Sequence, residues 1–237
     1  MGELTVLRPV RAGNAFEETV ERLLQVIKLG VVAPGEKLPP ERELAARLGI
    51  SRVTLREAIR ALQDSGFLDV RRGRYGGAFV IYKPPAPGAG RVRKIAADMG
   101  AADLADALTF RMAVECGAAG VLAAADLTAD QRALLRGRLV DLDEARIEDY
   151  RRLDTAFHLS IAELTGSPLL AAACADARLR VSDLLNAIPM LHVNLDHTAT
   201  QHRAIVAAIL AGDPDAARRA VAEHLAGTAA LLRGFLA

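Results

Sequence analysis

Tryptophan is absent from the chain, and aromatic residues make up only 4% of its 237 positions. Its cores must therefore be built from Ala, Leu, Val and Ile, which suits packed helices. There are two cysteines, Cys116 and Cys174. Two cannot form a disulfide framework, and each stands in an Ala-rich stretch where it reads as a small core residue. No apolar run reaches the ~18 residues that a membrane span needs. The opening MGELTVLRPVRAG lacks the apolar centre of a secretory signal, so a cytoplasmic location is expected. No 20–50-residue repeat is present, which excludes solenoids and propellers. An overall excess of charge is missing too, the formal net being +1.

What is present becomes clear once that charge is divided. Residues 1–94 carry 17 Lys+Arg against 10 Asp+Glu, and residues 95–237 carry 13 against 19. A basic front half joined to an acidic rear half points to a polyanion-binding module attached to something else. The break falls in Lys83-Pro84-Pro85-Ala86-Pro87-Gly88-Ala89-Gly90, where proline and glycine oppose both helix and strand. This predicts a basic domain over 1–82, a linker over 83–99 and an acidic domain over 100–237.

Ahead of the break the pattern predicts three helices and a hairpin. The first runs over about 15–31, with Val20, Leu23, Leu24, Ile27 and Val31 at helical spacing. The second spans Glu41 to Leu48 and is stopped by Gly49. Ser51 can cap the third, which ends near Ser65 and Gly66. Strands are expected at 67–71 and 78–82, joined by a glycine-rich turn. Two short helices separated by Gly49-Ile50 have the spacing of a helix-turn-helix, whose second helix enters the major groove. On that helix Leu55, Ala58, Ile59 and Leu62 form an inward face, and Arg52, Arg56 and Arg60 form an outward stripe. Guanidinium groups pair bidentately with guanine or neutralise phosphates. Arg52 and Thr54, nearest the helix start, are the expected base readers. Ser51 and the helix N-terminus suit a phosphate, and Arg42 suits the backbone. In the turn Arg71, Arg72 and Arg74 make a narrow basic tip.

The run Gly35-Glu36-Lys37-Leu38-Pro39-Pro40-Glu41-Arg42-Glu43-Leu44-Ala45, then Ser51-Arg52-Val53-Thr54-Leu55-Arg56-Glu57-Ala58 and later Leu62, Gly66, Phe67 and Leu68, resembles the GntR family of regulators. The likeness covers most of residues 15–82. It implies a winged helix-turn-helix, DNA contacts by Arg42, Arg52 and Arg56, and Gly73 with its neighbours in the wing. The family usually has Ser, Thr or Ala where this chain has Pro40, so a side-chain cap is expected to be missing there. Proline is tolerated at a helix start.

Behind the break everything reads as helix: about six, over 102–126, 128–147, 149–165, 167–188, 194–211 and 213–235. Thr128 with Gln131 forms a capping box. Ser167-Pro168 and Asp213-Pro214 each place a cap before a proline at the first helical position. Asp154 and His158 share one helix face. His202 lies on the side of Ile205, Val206 and Ile209, and His224 sits between Val221 and Leu225. One aspartate and three inward histidines have the inventory of a divalent metal site, and Zn, Ni, Co or Mn would suit it, zinc first. Taken singly, each histidine reads first as a hydrogen-bonded core residue. His192 and His197 lack partners at useful spacing and read as loop or surface residues.

Asp154-Thr155-Ala156-Phe157-His158, with Gln201-His202-Arg203-Ala204-Ile205-Val206 and Ala220-Val221-Ala222-Glu223-His224-Leu225, resembles the ligand-binding (FCD-type) domain of the FadR subfamily. Its metal-binding members hold an ion with an Asp and three His. The resemblance implies that Asp154, His158, His202 and His224 are the ligands and that the effector is a small carboxylate. Arg111, in Phe110-Arg111-Met112-Ala113-Val114-Glu115, resembles a position that often faces the pocket. It would pair with that carboxylate, or else simply with Glu115 on the helix surface.

These readings converge on a metabolite-responsive regulator, expected to be a repressor acting as a homodimer on a palindromic operator in double-stranded DNA. Two other classes compete. The ion itself could be the signal. An enzyme could use a metal-activated water, which would need a base beside the ion. Glu163 and Glu223 are the nearby carboxylates in sequence, and Glu223 is turned away from His224 by roughly 100°. No enzymatic activity is expected.

Overall fold

The computed structural model describes residues 15–73, 75–188 and 192–236. The chain divides into two compact units, Met1–Pro84 and Pro85–Ala237. Mainly α architecture with one two-stranded hairpin is what the periodicities predict.

In the first unit, α1 (Ala15–Lys28), α2 (Glu41–Leu48) and α3 (Arg52–Asp64) precede β1 (Leu68–Arg71) and β2 (Gly77–Val80). The strands pair antiparallel from Leu68 opposite Val80 to Arg71 opposite Gly77. Leu23, Leu44, Leu48, Leu55, Leu62 and Leu68 are fully buried in one core, each contributing about 1.5–3 kcal/mol of burial. Pro40 precedes α2 with no side-chain cap. Gly49 then ends α2 in the left-handed region at φ 66°, which turns the chain into α3 within two residues. The Ser51 side chain accepts from the Thr54 amide at 3.1 Å. Helix α1 stops at Lys28, short of residue 31, because Gly30 takes φ 68°.

The second unit is α4 (Ala89–Met99), α5 (Ala101–Ala123), α6 (Ala129–Asp143), α7 (Tyr150–Leu164), α8 (Pro168–Ala187), α9 (His192–Ala211) and α10 (Pro214–Leu236). Helix α5 packs against α7, α8, α9 and α10 and so is buried along more than one face. The capping box of Thr128 and Gln131 is present. Ser167 accepts from Leu170 N, and Asp213 from Asp215 N and Ala216 N.

Helix α4 occupies most of the segment 83–99 expected as linker. Its Val92 is fully buried and packs with Val181, Leu184 and Leu232. The Gly88 amide, at its N-cap, donates to the Ala187 carbonyl at 2.9 Å. Proline and glycine end at Gly90, and the apolar spacing Val92, Ile95, Ala96 and Met99 beyond it is helical. The sequence reading let the punctuation hide that spacing. Two smaller differences follow from packing. Cys174 is in the core, but Cys116 is only half-buried, with its thiol 3.6 Å from the Met112 sulfur. Helix α9 begins at His192, two residues ahead of the expected 194, so His192 is helical; His197 is exposed on that helix, as a surface residue.

Candidate functional site

Two groups of candidate residues lie in separate units. On α3, Leu55, Ala58, Ile59 and Leu62 face the core while Arg52, Arg56 and Arg60 face solvent. Arg56 Nε pairs with Glu41 at 2.8 Å, and Arg52 approaches the same carboxylate at 3.6 Å. Glu41, on the preceding helix, thus gathers two of the three stripe arginines. Arg42 is exposed beside it. Ser51 and Thr54 hydroxyls lie 2.9 Å apart at the start of α3. In the hairpin, Arg71 is tied to Asp69 at 2.8 Å and lies over the Phe79 ring at 4.5 Å. Arg72 and Gly73 are exposed at the turn, where Gly73 has φ 100°. Arg74 lies outside the described residues. A Cβ on Gly77 would come within 2.4 Å of the Lys37 side chain, so the wing base requires glycine there.

In the helical unit, α7 carries Asp154 and His158 one turn apart, α9 carries His202 and α10 carries His224. Ligand-type atoms of these four residues all lie within 4.8 Å of one another. The three histidines are buried. His158 Nε2 and His224 Nε2 are 3.1 Å apart. Asp154 Oδ1 is 3.3 Å from His202 Nε2 and 3.8 Å from His158 Nε2.

The other ring nitrogens decide what this cluster can hold. His158 Nδ1 is 2.9 Å from Glu115 Oε2. Burial by itself would raise the Glu115 carboxyl, but Arg111, Arg178 and His158 outweigh it and keep it well below its usual range. A carboxylate only accepts, so His158 donates from Nδ1 and presents a lone pair at Nε2. His224 Nδ1 is 3.2 Å from Gln201 Oε1, and Gln201 Nε2 is 3.2 Å from His197 Nε2. The glutamine oxygen faces His224, and a carbonyl oxygen only accepts, so in this arrangement His224 Nδ1 donates. His224 too presents a lone pair at Nε2. Two lone pairs then face each other at 3.1 Å with no proton between them, an arrangement that calls for a cation.

Two nitrogens each bound about 2.0–2.1 Å from one zinc ion stand roughly 3–3.4 Å apart. The observed spacing fits that geometry. His202 Nδ1 and Nε2 are buried without an aligned hydrogen bond, and Nε2 lies 3.3 Å from Asp154 Oδ1. Burial and Arg178 outweigh Glu115 and Asp154 and hold His158 down to about 4. Burial with His158 and His202 holds His224 well below its usual value. Neutral imidazole is the form that binds metal. By its donors, the cluster fits a divalent ion.

Around the cluster runs a buried charge network. Arg178 Nη2 donates to Asp154 Oδ2, and its Nη1 lies 3.1 and 3.2 Å from the two Glu115 oxygens. Arg111 Nε donates to Glu115 Oε1 at 2.7 Å. The Arg111–Glu115 pair exists but is buried, at 2% and 4% exposure, and does not lie on the helix surface. Glu115 and Arg178 are the partners that sequence reasoning missed. A signal was there for each: a charged residue amid the small apolar residues of α5 or α8 must be paired if buried. For Glu115 the neighbouring arginine diverted it to a surface pair. The carboxylate beside His158 arrives from α5.

A winged helix-turn-helix and an all-helical unit with a buried polar centre define the class: a DNA-binding transcription regulator. Residues 16–80 match the profile of the bacterial regulatory proteins of the gntR family, and residues 106–227 match the FCD domain. The chain is 30% identical over 241 residues to the HTH-type transcriptional repressor NanR of Escherichia coli strain K12, covering 96% of this chain and 88% of that one. It is also 30% identical over 235 residues to the HTH-type transcriptional regulator Rv0494 of Mycobacterium tuberculosis, covering 97% and 94%. The structure of E. coli McbR/YncC superposes with a TM-score of 0.56 at 21% identity, covering 93% of this chain and 97% of that one; this likeness concerns the fold. The chain belongs to the gntR family of transcription regulators and carries an FCD domain. Its relatives and domains are regulators, and the family is not enzymatic. No helix among the described residues is long and apolar enough to cross a membrane.

Proposed function

We propose that this regulator is a cytoplasmic, metabolite-responsive repressor whose helical domain senses a small carboxylate at a divalent metal, zinc first, with Ni, Co or Mn as alternatives. Asp154, His158, His202 and His224 hold the ion, with Glu115 and Gln201 orienting two of the rings. The ion, when bound, supplies a Lewis-acidic anchor for carboxylate oxygens. Arg111 pairs with the effector. The observation that carries this reading is the facing Nε2 pair at 3.1 Å, each ring fixed from behind by an acceptor. Complete burial of His202 favours a resident ion over an ion that acts as the signal.

Arg52 and Thr54 read bases. Ser51 and the start of α3 hold a phosphate. Arg42 and Arg56 contact the backbone or base edges, and Arg72, Gly73 and Arg74 form the wing contact. Two such heads on a homodimer suit a palindromic operator. A relative named as a repressor supports that sense of regulation.

The test is metal content of tag-free protein, wild type beside His202→Ala. About one ion per chain, lost in the variant, supports the centre. A wild type that stays metal-free after reloading overturns it.

A further inference from the structure

We infer that the sensing site takes a small acid bearing two anionic groups, and that Arg151 reads the second one. The inference rests on the metal-and-carboxylate reading above and deepens it.

The argument begins with an imbalance of charge. Three arginines, Arg111, Arg151 and Arg178, interact electrostatically around Asp154. Among the described residues, two carboxylates face them, Glu115 and Asp154. Both are already engaged: Arg111 and Arg178 share Glu115, and Arg178 also holds Asp154. Arg151 lies on α7 three residues before Asp154, so the two share a helix face. Its guanidinium reaches the Ile188 carbonyl at 3.4 Å and makes no ion pair among the described residues. Asp143, a further carboxylate in electrostatic reach of Tyr150, is taken by Arg203 at 3.0 and 3.1 Å.

An unused donor accompanies this arginine: Arg178 Nε is buried without a hydrogen bond. Tyr150 precedes Arg151 and interacts with both Arg151 and Asp154, and Thr198 is also in its reach. Burial disfavours the charged form of Arg151, and Asp154 only partly offsets this. Buried donors left open cost free energy unless something accepts from them, and a cation withdrawn from water needs an anion.

Imidazoles that bind a metal are neutral, so among the described residues three arginines against two carboxylates leave one positive charge. A divalent ion raises this to three. A monocarboxylate at the metal and Arg111 would leave two, with Arg151 still without an anion among the described residues. A second carboxylate or a phosphate on the same small molecule answers it.

The experiment is calorimetric titration of the full-length protein after its metal content has been measured. Three pairs of acids are compared, each differing by one anionic group: propionate and succinate, L-lactate and L-malate, glycolate and 2-phosphoglycolate. The second member of at least one pair should bind about tenfold tighter or better, as expected for an added ion pair in a partly buried site. The succinate and malate arms separate a carboxylate from the phosphate of 2-phosphoglycolate. Arg151→Gln should abolish that preference and leave the first member's affinity unchanged, and Arg151→Lys should restore part of it. Equal binding of both members in every pair overturns the inference. So does an Arg151→Gln variant that weakens both members alike, because that is a structural effect. Protein with one ion per chain that binds no member of any pair overturns this inference while leaving the metal centre standing. Protein that cannot be loaded overturns both.

Discussion

The two units dispose of charge in opposite ways. In the DNA-binding unit apolar residues are inside and arginines outside, with exposed pairs such as Arg56–Glu41 and Arg71–Asp69. In the helical unit Arg111, Glu115, Arg178 and three histidines are among the most buried side chains. An exposed ion pair contributes only about 0–1 kcal/mol, so the first unit's charges are free to serve a partner. A buried charge must be matched inside the protein, and removing one member leaves the rest uncompensated. The same residue type is thus an outward tool in one unit and part of an internal lattice in the other.

Substitutions measure that contrast. The largest effect is expected at Glu115→Ala, which leaves Arg111 and Arg178 without their shared carboxylate and should cost about 3–5 kcal/mol. Chemical denaturation of the metal-free protein reads it directly, and a loss under about 1 kcal/mol would place the network in the class of surface pairs. Acid should act next, again on metal-free protein. His158 is neutral in the folded state, its value lowered by burial and Arg178 from an ordinary 6.5 to about 4. The unfolded chain binds its proton below about 6.5, so the contribution is complete above that pH and lost as pH falls toward 4, by about 3 kcal/mol at most. Melting in chelator between pH 7 and 5 should show a falling midpoint. A rising one would mean that the ring takes up its proton inside the fold.

In the outward-facing unit the effects should move from stability to binding. Arg52→Ala should weaken binding to a specific operator by about 1–3 kcal/mol without shifting the melting midpoint. Unchanged affinity in a titration would remove Arg52 from the reading set. Ser51→Ala deletes the cap on α3 and should cost about 1 kcal/mol of stability, visible as a lower denaturation midpoint. Arg60→Ala, exposed on the same helix, should stay within about 0.5 kcal/mol. A larger loss there would blur the line between the two units.

Legibility followed the same division. The α3 stripe and its buried face could be read because a surface helix sorts residues every three to four positions. Caps at Ser51, Thr128, Ser167 and Asp213 were readable because a cap acts within three residues of itself. Helix α4 could be read from the spacing of Val92, Ile95, Ala96 and Met99, but the proline and glycine ahead of it masked that spacing, and only packing on α8 and α10 shows that Val92 is buried. His197 looked idle until the fold set Gln201 between it and His224.

By itself the sequence determined the helices, the hairpin, the arginine stripe and the inward histidines, all of which depend on local spacing and side-chain chemistry. Only tertiary structure decided that Glu115 turns the His158 ring, that Arg178 ties α8 to both α5 and α7, and that Arg151 has no ion pair among the described residues. These pairings join positions 24 to 63 residues apart. Which charges meet at such separations is set by how helices pack, and the desolvation of a buried charge makes each meeting decisive.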